Sequence, residues 1–165
     1  MTLGGLMSRV LMVRCYSGLH HQYRLTSLAW DRPSTWLLTA LLLDCGYYWF
    51  HRASHEVGAL WAVHQVHHSS QYFNLTTALR SDILKHLTPH TFHPRQPVLE
   101  GLGWVTHWFY LPLALFIPTT QMLVHAEFNF LYQFLIHTEL IGDLGPLGLF
   151  LNTASHHRVH HGANR

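Results

Sequence analysis

Apolar runs and histidine-rich polar stretches alternate along the chain. Residues 35–50 run apolar for about four helical turns and are interrupted only by Asp44. The tetrapeptide Asp-Arg-Pro-Ser at 31–34 precedes this run and is typical of a helix start, with Ser34 as the N-cap. Residues 51–82 are polar with helical spacing, whereas residues 83–103 contain three prolines and two glycines and predict a loop.

A second apolar run, residues 104–126, is the best candidate for a transmembrane or re-entrant helix. Pro112 and Pro118 would kink that helix, which neighbouring helices of a bundle can tolerate. The 35–50 run is shorter than the ~20 residues that cross a bilayer, and it could cross only if its helix continued through Arg52. Together the two runs predict an all-α, membrane-embedded helical bundle.

The first residues of the chain carry a weaker signal. Arg9 and Arg14 break the longest apolar stretch of residues 1–19, which therefore lacks the uninterrupted core of a signal peptide. We expect a weakly amphipathic or flexible segment there. The remainder, residues 20–165, has the length of one domain.

Composition narrows the class of protein. Charged residues make up 11% of the chain, against roughly 25% in an ordinary soluble domain, and 13% of the residues are aromatic. Low charge with many aromatic side chains indicates a lipid-facing surface. The net charge is +2 without a basic block, so we expect no nucleic-acid partner. Cys15 and Cys45 form no C-x-x-C pair, and we expect both to be reduced.

Histidine is the most unusual component, because the chain has 17 of them and only ten Lys and Arg together. His51 and His55 stand four residues apart and share a helix face. The pattern His-x-x-His-His occurs at 64–68 and again at 157–161. With His137, nine imidazoles on four segments can converge in a bundle, and nine suit two ions better than one. The predicted ligands are His51, His55, His64, His67, His68, His137, His157, His160 and His161.

Ligand type alone leaves the metal open, because imidazole suits zinc, copper, iron and nickel. No cysteine joins the clusters, which disfavours structural zinc, and a two-metal site able to activate O2 fits the ligand count better. Asp44 lies seven residues before His51 on roughly the same helix face. Its carboxylate could therefore hydrogen-bond a ligand imidazole.

The other eight histidines carry weaker signals. His20 and His21 precede the first predicted helix, where an interfacial position is expected. His125 lies within the apolar run, where we favour a hydrogen-bonded core histidine over a ligand. His156 is ambiguous, because one turn of rotation would exchange its role with that of His157. We expect the histidines in or beside the proline-rich loop to be solvated: His86, His90, His93 and His107.

The three motifs His51-x3-His55, His64-x2-His67-His68 and His157-x2-His160-His161 resemble the histidine boxes of the fatty acid hydroxylase / sterol desaturase superfamily. The flanking sequences are more specific. DCGYYWFHRASHE at 44–56, FNFLYQFLIHTELI at 128–141 and NTASHHRVHHGANR at 152–165 resemble the branch of that superfamily that cleaves glyceryl ethers, or alkylglycerols. The similarity runs from near His21 to the end of the chain.

That resemblance implies a multi-pass enzyme of the endoplasmic reticulum membrane with its metal site on the cytosolic side. It implies two iron ions, O2 and tetrahydrobiopterin, and hydroxylation of the ether-linked carbon of a glyceryl ether. The resulting hemiacetal then separates into a fatty aldehyde and a glycerol product. The family's boxes match eight of the predicted ligands, and His137 lies where relatives place one more. Glu56 matches an acidic residue needed for activity in the family, which could orient a ligand or sit near the pterin.

Two alternatives stay open, and departures from the family motivate the second of them. Residues from about 83 to 106 look like a loop insertion, residues 1–19 do not resemble the expected upstream transmembrane helices, and relatives continue beyond Arg165. One alternative is a sterol or fatty acid hydroxylase or desaturase of the same superfamily, since it shares the boxes. The other is an inactive, truncated metal-binding form.

Overall fold

The computed structural model describes residues 3–26, 28–70, 72–78 and 109–162. Every regular element in these ranges is helical, which confirms the all-α prediction. Short 3-10 helices occupy Leu111–Leu115 and Gly145–Leu149. The α-helices of the described ranges are α1 Leu3–Tyr23, α2 Pro33–Glu56, α3 Gly58–His68, α4 Leu75–Ala78, α5 Thr119–Ile136 and α6 Ala154–His160.

The N-terminal segment is helical. We expected residues 1–19 to be weakly amphipathic or flexible, and from Leu3 onward they belong to the 21-residue helix α1. Tyr16 is fully buried, and its hydroxyl donates a 3.0 Å hydrogen bond to the carbonyl oxygen of Ile117. His20 adds a contact, with Nδ1 2.8 Å from the carbonyl oxygen of Ala114. Because few positions of α1 are buried, the helix leaves little periodic signal in the sequence.

Helix α2 begins at Pro33, with Arg32 at the N-cap position that we had assigned to Ser34. Proline suits the first turn of a helix, where its missing N–H has no intrahelical partner to lose. At the other end, Val57 has extended backbone (φ −95°, ψ 114°) and separates α2 from α3. This one-residue connection brings the last turns of α2 against α3.

The two prolines of the second apolar run divide it instead of kinking one helix. In its described part, Pro112 lies in the first turn of the 3-10 helix, and Pro118 is the N-cap of α5 with extended backbone (φ −60°, ψ 142°). Proline lacks the N–H that an interior helical position donates, so a break at each proline is physically reasonable. Helix α5 therefore starts at Thr119, later than we expected.

The core lies where α1, α2 and α5 meet the 3-10 helix Leu111–Leu115. Polar contacts join α2 to α5 beside it: the Thr39 hydroxyl donates to Gln121 Oε1 (2.9 Å), and Gln121 Nε2 donates to the carbonyl oxygen of Trp30 (2.7 Å). These buried polar groups are thus hydrogen-bonded, as buried groups must be for stability. The buried apolar residues of the core are Tyr16, Leu43, Tyr110, Ala114, Ile117 and Met122.

Membrane embedding stays a prediction. In the part of the chain that the structure describes, no helix combines the length and the apolar character that crossing a bilayer requires. The predicted loop insertion at about 83–106 lies outside the described residues. So do the histidines that we expected to be solvated there: His86, His90, His93 and His107.

Candidate metal centre

Two local features bring the histidine motifs together. The short connection at Val57 places His51 and His55, at the end of α2, against the histidines of α3. At the other side, the Arg158 guanidinium of α6 donates through Nη1 to the carbonyl oxygens of Thr138 (2.8 Å) and Ile141 (2.7 Å). Arg158 thereby fixes α6 beside the end of α5.

Helix α6 has its own start signal. Thr153 is its N-cap, and the threonine hydroxyl accepts a hydrogen bond from the backbone N–H of His156. A capped seven-residue helix presents His157 and His160 from successive positions of one face, with His161 directly after the helix. The third histidine motif is therefore held by local as well as tertiary contacts.

All nine predicted ligands fall into two groups. Within each group, the candidate ligand atoms lie within 4.8 Å of one another. In the five-histidine group, Nε2 of His51 lies 2.9 Å from Nε2 of His160. In the four-histidine group, Nε2 of His137 lies 3.1 Å from Nε2 of His67. The five-histidine group is His51, His55, His64, His68 and His160; the four-histidine group is His67, His137, His157 and His161.

The two groups adjoin each other. The rings of His68 and His161, one from each group, stack with centroids 4.1 Å apart. The rings of His64 and His67, again one from each group, have centroids 5.3 Å apart. The spatial arrangement is thus that of a paired centre, in which the same helices α3 and α6 supply imidazoles to both halves.

Backbone carbonyls set the protonation of two central imidazoles. The Nδ1 atoms of His67 and His137 lie within hydrogen-bond distance of the carbonyl oxygens of Thr77 and Gln133. A carbonyl only accepts, so each Nδ1 must donate its proton, and in the neutral ring Nε2 then carries a lone pair. Two Nε2 lone pairs facing at 3.1 Å repel unless a cation lies near both. This is the tautomer and orientation that metal-bound histidine adopts.

Burial keeps these imidazoles neutral. Desolvation, followed by neighbouring imidazoles, lowers the pKa of His67 and His160 to about 4, and of His51 and His68 to about 3. Desolvation likewise lowers the pKa of His55 and His137. At neutral pH these side chains therefore offer lone pairs, as ligation requires. The same causes lower the pKa of the remaining members, His64, His157 and His161.

The donor set fits two first-row metal ions. Metal–nitrogen bonds of about 2.0–2.1 Å place the ligand nitrogens of one ion about 3–4 Å apart. The Nε2 separations inside both groups match, including 2.9 Å between His157 and His137 and 3.2 Å between His64 and His68. Nε2 of His55 is buried without a hydrogen-bond partner among the described residues, as a nitrogen reserved for an ion would be.

A cavity of about 350 Å³ reaches the four-histidine group. His67 and His137 line one part of it, and methionine, leucine and phenylalanine side chains of α1 and α5 line much of the rest. Its size is within the range of small-molecule sites. No sequence pattern indicates this cavity or the carbonyls of Thr77 and Gln133, because backbone groups and concave surfaces leave no motif.

Other candidates lie outside the two groups. His125 is half-buried, with Nδ1 2.9 Å from the carbonyl oxygen of Gln121, in agreement with the structural role that we favoured. His156 is exposed, which resolves its ambiguity against a place in either group. Asp44 is exposed and, among the described residues, makes no hydrogen bond to a histidine, contrary to expectation. Glu56 is exposed and accepts a 2.8 Å hydrogen bond from Arg52 Nε.

Comparison with known proteins places this centre in a family. The family model "Fatty acid hydroxylase" matches residues 36–165. The chain is 50% identical to alkylglycerol monooxygenase of Homo sapiens over 99% of its length, and 49% identical to that of Danio rerio over 96%. Identity to the alkylglycerol monooxygenase of Caenorhabditis elegans is 39% over 94% of the chain.

The chain spans about a third of the length of these relatives: 33%, 32% and 28% respectively. No solved structure matches it. The resemblance inferred from the histidine boxes and their flanks is confirmed by these matches. Its extent differs from our expectation, because the match to the human relative covers 99% of the chain and therefore does not begin near His21. The chain belongs to the fatty acid hydroxylase family.

Proposed function

We propose that the chain carries the di-iron centre of an O2-dependent monooxygenase that hydroxylates the ether-linked carbon of glyceryl ethers, with tetrahydrobiopterin as co-substrate. The observation that carries this proposal is the convergence of nine histidines from four segments into two adjoining groups of ligand geometry. The choice of substrate and pterin rests on similarity to relatives named alkylglycerol monooxygenase.

In this proposal each histidine group holds one iron. The bound irons would supply the activation of O2 that hydroxylation of an unactivated C–H bond needs. The chain's own residues position them: the carbonyls of Thr77 and Gln133 orient two ligand rings, and Arg158 holds α6 in place. Half-burial of the groups limits the access of water, and the cavity gives an organic substrate access to the four-histidine group.

Glu56 is proposed to act on the substrate or pterin side of the centre. It directly follows the first histidine motif and ends α2, one residue from His55. Its carboxylate is ion-paired with Arg52 and exposed, so it is available to a bound molecule without breaking a buried contact. An exposed pair of this kind contributes little to stability, roughly 0–1 kcal/mol.

A lipid substrate is consistent with the apolar surface around the centre. The segment that joins His137 to His157 exposes Leu140 (94%), Leu149 (82%) and Phe150 (86%) to solvent. Soluble monomeric proteins seldom expose large apolar patches. We propose that this surface contacts the bilayer, and that the protein resides in the endoplasmic reticulum membrane. Fractionation of cells that express it tests the location, and loss of liposome binding by Phe150→Ser tests the contact.

The deciding experiment is metal analysis of protein purified without added metal, followed by turnover with a glyceryl ether, O2 and tetrahydrobiopterin. We expect two irons per chain and release of a fatty aldehyde. Turnover of a sterol or fatty acid instead would assign the chain to another activity of the superfamily. Iron binding without turnover of any substrate would show an inactive metal-binding form, and iron-free protein with full activity would overturn the proposal.

A further inference from the structure

Different parts of the cavity described above have different linings. One part is lined by His67 and His137 of the four-histidine group. Another part, here called the buried end, is lined by Met122 and Tyr110, both buried members of the core. Arg9 and Glu127, which are exposed and lie 3.6 Å apart, also line it.

The part of α5 that lines the cavity is long enough for a lipid chain. Met122 and His137 both line it, and fifteen residues of helical rise separate them, about 22 Å. Half of a bilayer's hydrocarbon core, roughly 15 Å, is the depth that one lipid chain fills. A chain whose reacting carbon lies at the histidines can therefore extend along α5 to the buried end.

The lining suits the same occupant. Along this length the cavity wall includes Met12 of α1 and Leu123, Ala126 and Phe130 of α5. Apolar walls stabilise an alkyl chain by about 0.8 kcal/mol for each methylene removed from water. Among the described residues, the Lys, Arg, Asp and Glu side chains of the lining are Arg9 and Glu127, which are exposed and paired with each other.

Ala126 occupies the decisive position. It lies one helical turn from Met122 and about three turns from His137, between the metal side and the buried end. Its methyl group is the smallest side chain that could stand there apart from glycine. We infer that the cavity between α1 and α5 binds the alkyl chain of the lipid substrate, and that the small side chain of Ala126 sets the chain length accepted. This inference rests on the proposed function and names the part of the substrate that the cavity binds.

The test is the substitution Ala126→Phe, assayed with hexadecylglycerol and octylglycerol in the iron-loaded full chain. The phenyl ring would close the buried end and exclude the distal methylenes of the long chain only. Each excluded methylene lowers affinity about fourfold, so we expect the hexadecyl-to-octyl ratio of kcat/KM to fall at least about tenfold, mainly through KM. Ala126→Leu, a smaller plug, should shift the ratio less.

Ala40→Phe provides the matched control, because Ala40 is exposed on α2 and does not line the cavity. It should leave the ratio unchanged, and all three variants should retain wild-type iron content. An unchanged ratio in a folded, iron-loaded Ala126→Leu or Ala126→Phe variant would overturn the inference.

Direct binding separates this inference from the proposed function. If neither glyceryl ether is turned over, equilibrium binding of the two compounds to the wild type and to Ala126→Phe still reports on the cavity. Selective loss of hexadecylglycerol binding would support the chain pocket although the proposed activity had failed. Turnover of both compounds with unchanged selectivity would support the activity and reject the pocket.

Discussion

At the scale of the single residue, the histidines of the two groups differ from the others in what surrounds their ring nitrogens. His67 and His137 donate through Nδ1 to carbonyls and point bare Nε2 atoms at each other. His125 also donates through Nδ1 to a carbonyl, that of Gln121, but its ring packs at a tilt of 40° against Trp36, with centroids 5.1 Å apart. Only the first arrangement leaves a pair of lone pairs in need of a cation.

His64→Ala tests the ligand assignment. His64 lies in the five-histidine group, with Nε2 3.2 Å from Nε2 of His68, and its ring also adjoins the four-histidine group. We expect iron content to fall below two per chain and turnover to be lost. His156→Ala is the control, because His156 is exposed and belongs to neither group. Equal iron content in both variants, measured by elemental analysis, would remove His64 from the centre.

Glu56→Gln separates catalysis from structure. The substitution removes the charge but keeps the shape, and it weakens an exposed ion pair that contributes roughly 0–1 kcal/mol. We therefore expect wild-type iron content, a melting temperature within a few degrees of wild type, and kcat lowered at least about tenfold. Arg52→Gln removes the same ion pair from the other side. If both variants lose activity equally, the ion pair, and not the Glu56 carboxylate by itself, is required for activity.

The clustering of the histidines was largely predictable from the sequence, because the spacing of imidazoles along a helix determines which of them share a face. Side chains three or four positions apart on a helix lie next to each other on one face. The spacing within a motif such as 64–68 therefore determines how its histidines are arranged. Asp44 met the same spacing rule relative to His51 yet remains exposed, since spacing alone cannot tell which neighbouring helix covers a face. Contributions of backbone atoms, as at Thr77, have no side-chain signal to read.

At the scale of the element, the helices that supply ligands depend on close contacts elsewhere along their length. Gly46 of α2 shows this: a Cβ there would lie 3.2 Å from two ring carbons of Tyr110 and 3.4 Å from the carbonyl oxygen of Phe109. Helix α2 thus approaches 109–110 more closely than a larger residue permits, at a level one and a half turns before His51.

Gly46→Leu should loosen this packing. Overpacking of a fitted contact costs about 1–3 kcal/mol, more than the roughly 1 kcal/mol gained by removing glycine from a helix interior. We expect a lower melting temperature in thermal unfolding. Gly18→Ala in α1 is the comparison, because a Cβ at Gly18 meets nothing within 4 Å, and we expect it to stabilise by about 0.5–1 kcal/mol. A Gly46→Leu protein as stable as wild type would show that Tyr110 yields.

Elements were harder to predict than ligands wherever apolar runs crossed prolines. Residues 104–126 form one hydrophobic stretch in the sequence, but Pro118 starts a helix instead of kinking one. A helix that begins at a proline and a helix that is kinked there have the same hydrophobic pattern. Which of the two forms depends on the groups that donate hydrogen bonds to the carbonyls left free by the proline. Helix α1 was hard to predict because it has no clear hydrophobic pattern: few of its described side chains are buried, Tyr16 among them.

At the scale of the whole molecule, the histidines lower the stability of the metal-free fold at acidic pH. Both groups bury neutral imidazoles among one another, and desolvation is the largest cause that lowers each pKa. The charge that these side chains would carry in an unfolded chain below about pH 6.5 is excluded from the folded one. Bound cations would occupy the same lone pairs, so the ions and protons compete for one set of nitrogens.

The stability of the iron-free protein should therefore depend steeply on pH. Because the folded pKa of His67 (about 4) and of His157 (about 2) lies below the unfolded value of about 6.5, the unfolded chain binds more protons as pH falls. Their contribution to stability is complete above about pH 6.5 and is lost as pH falls from there toward the folded pKa, by up to about 1.4 kcal/mol per pH unit for each buried histidine. We expect the melting temperature of iron-free protein, measured by thermal shift, to drop between about pH 7.5 and about pH 5.5. His67→Leu should flatten that slope and His156→Ala should not, whereas a melting temperature independent of pH would mean that the imidazoles are not buried as a cluster.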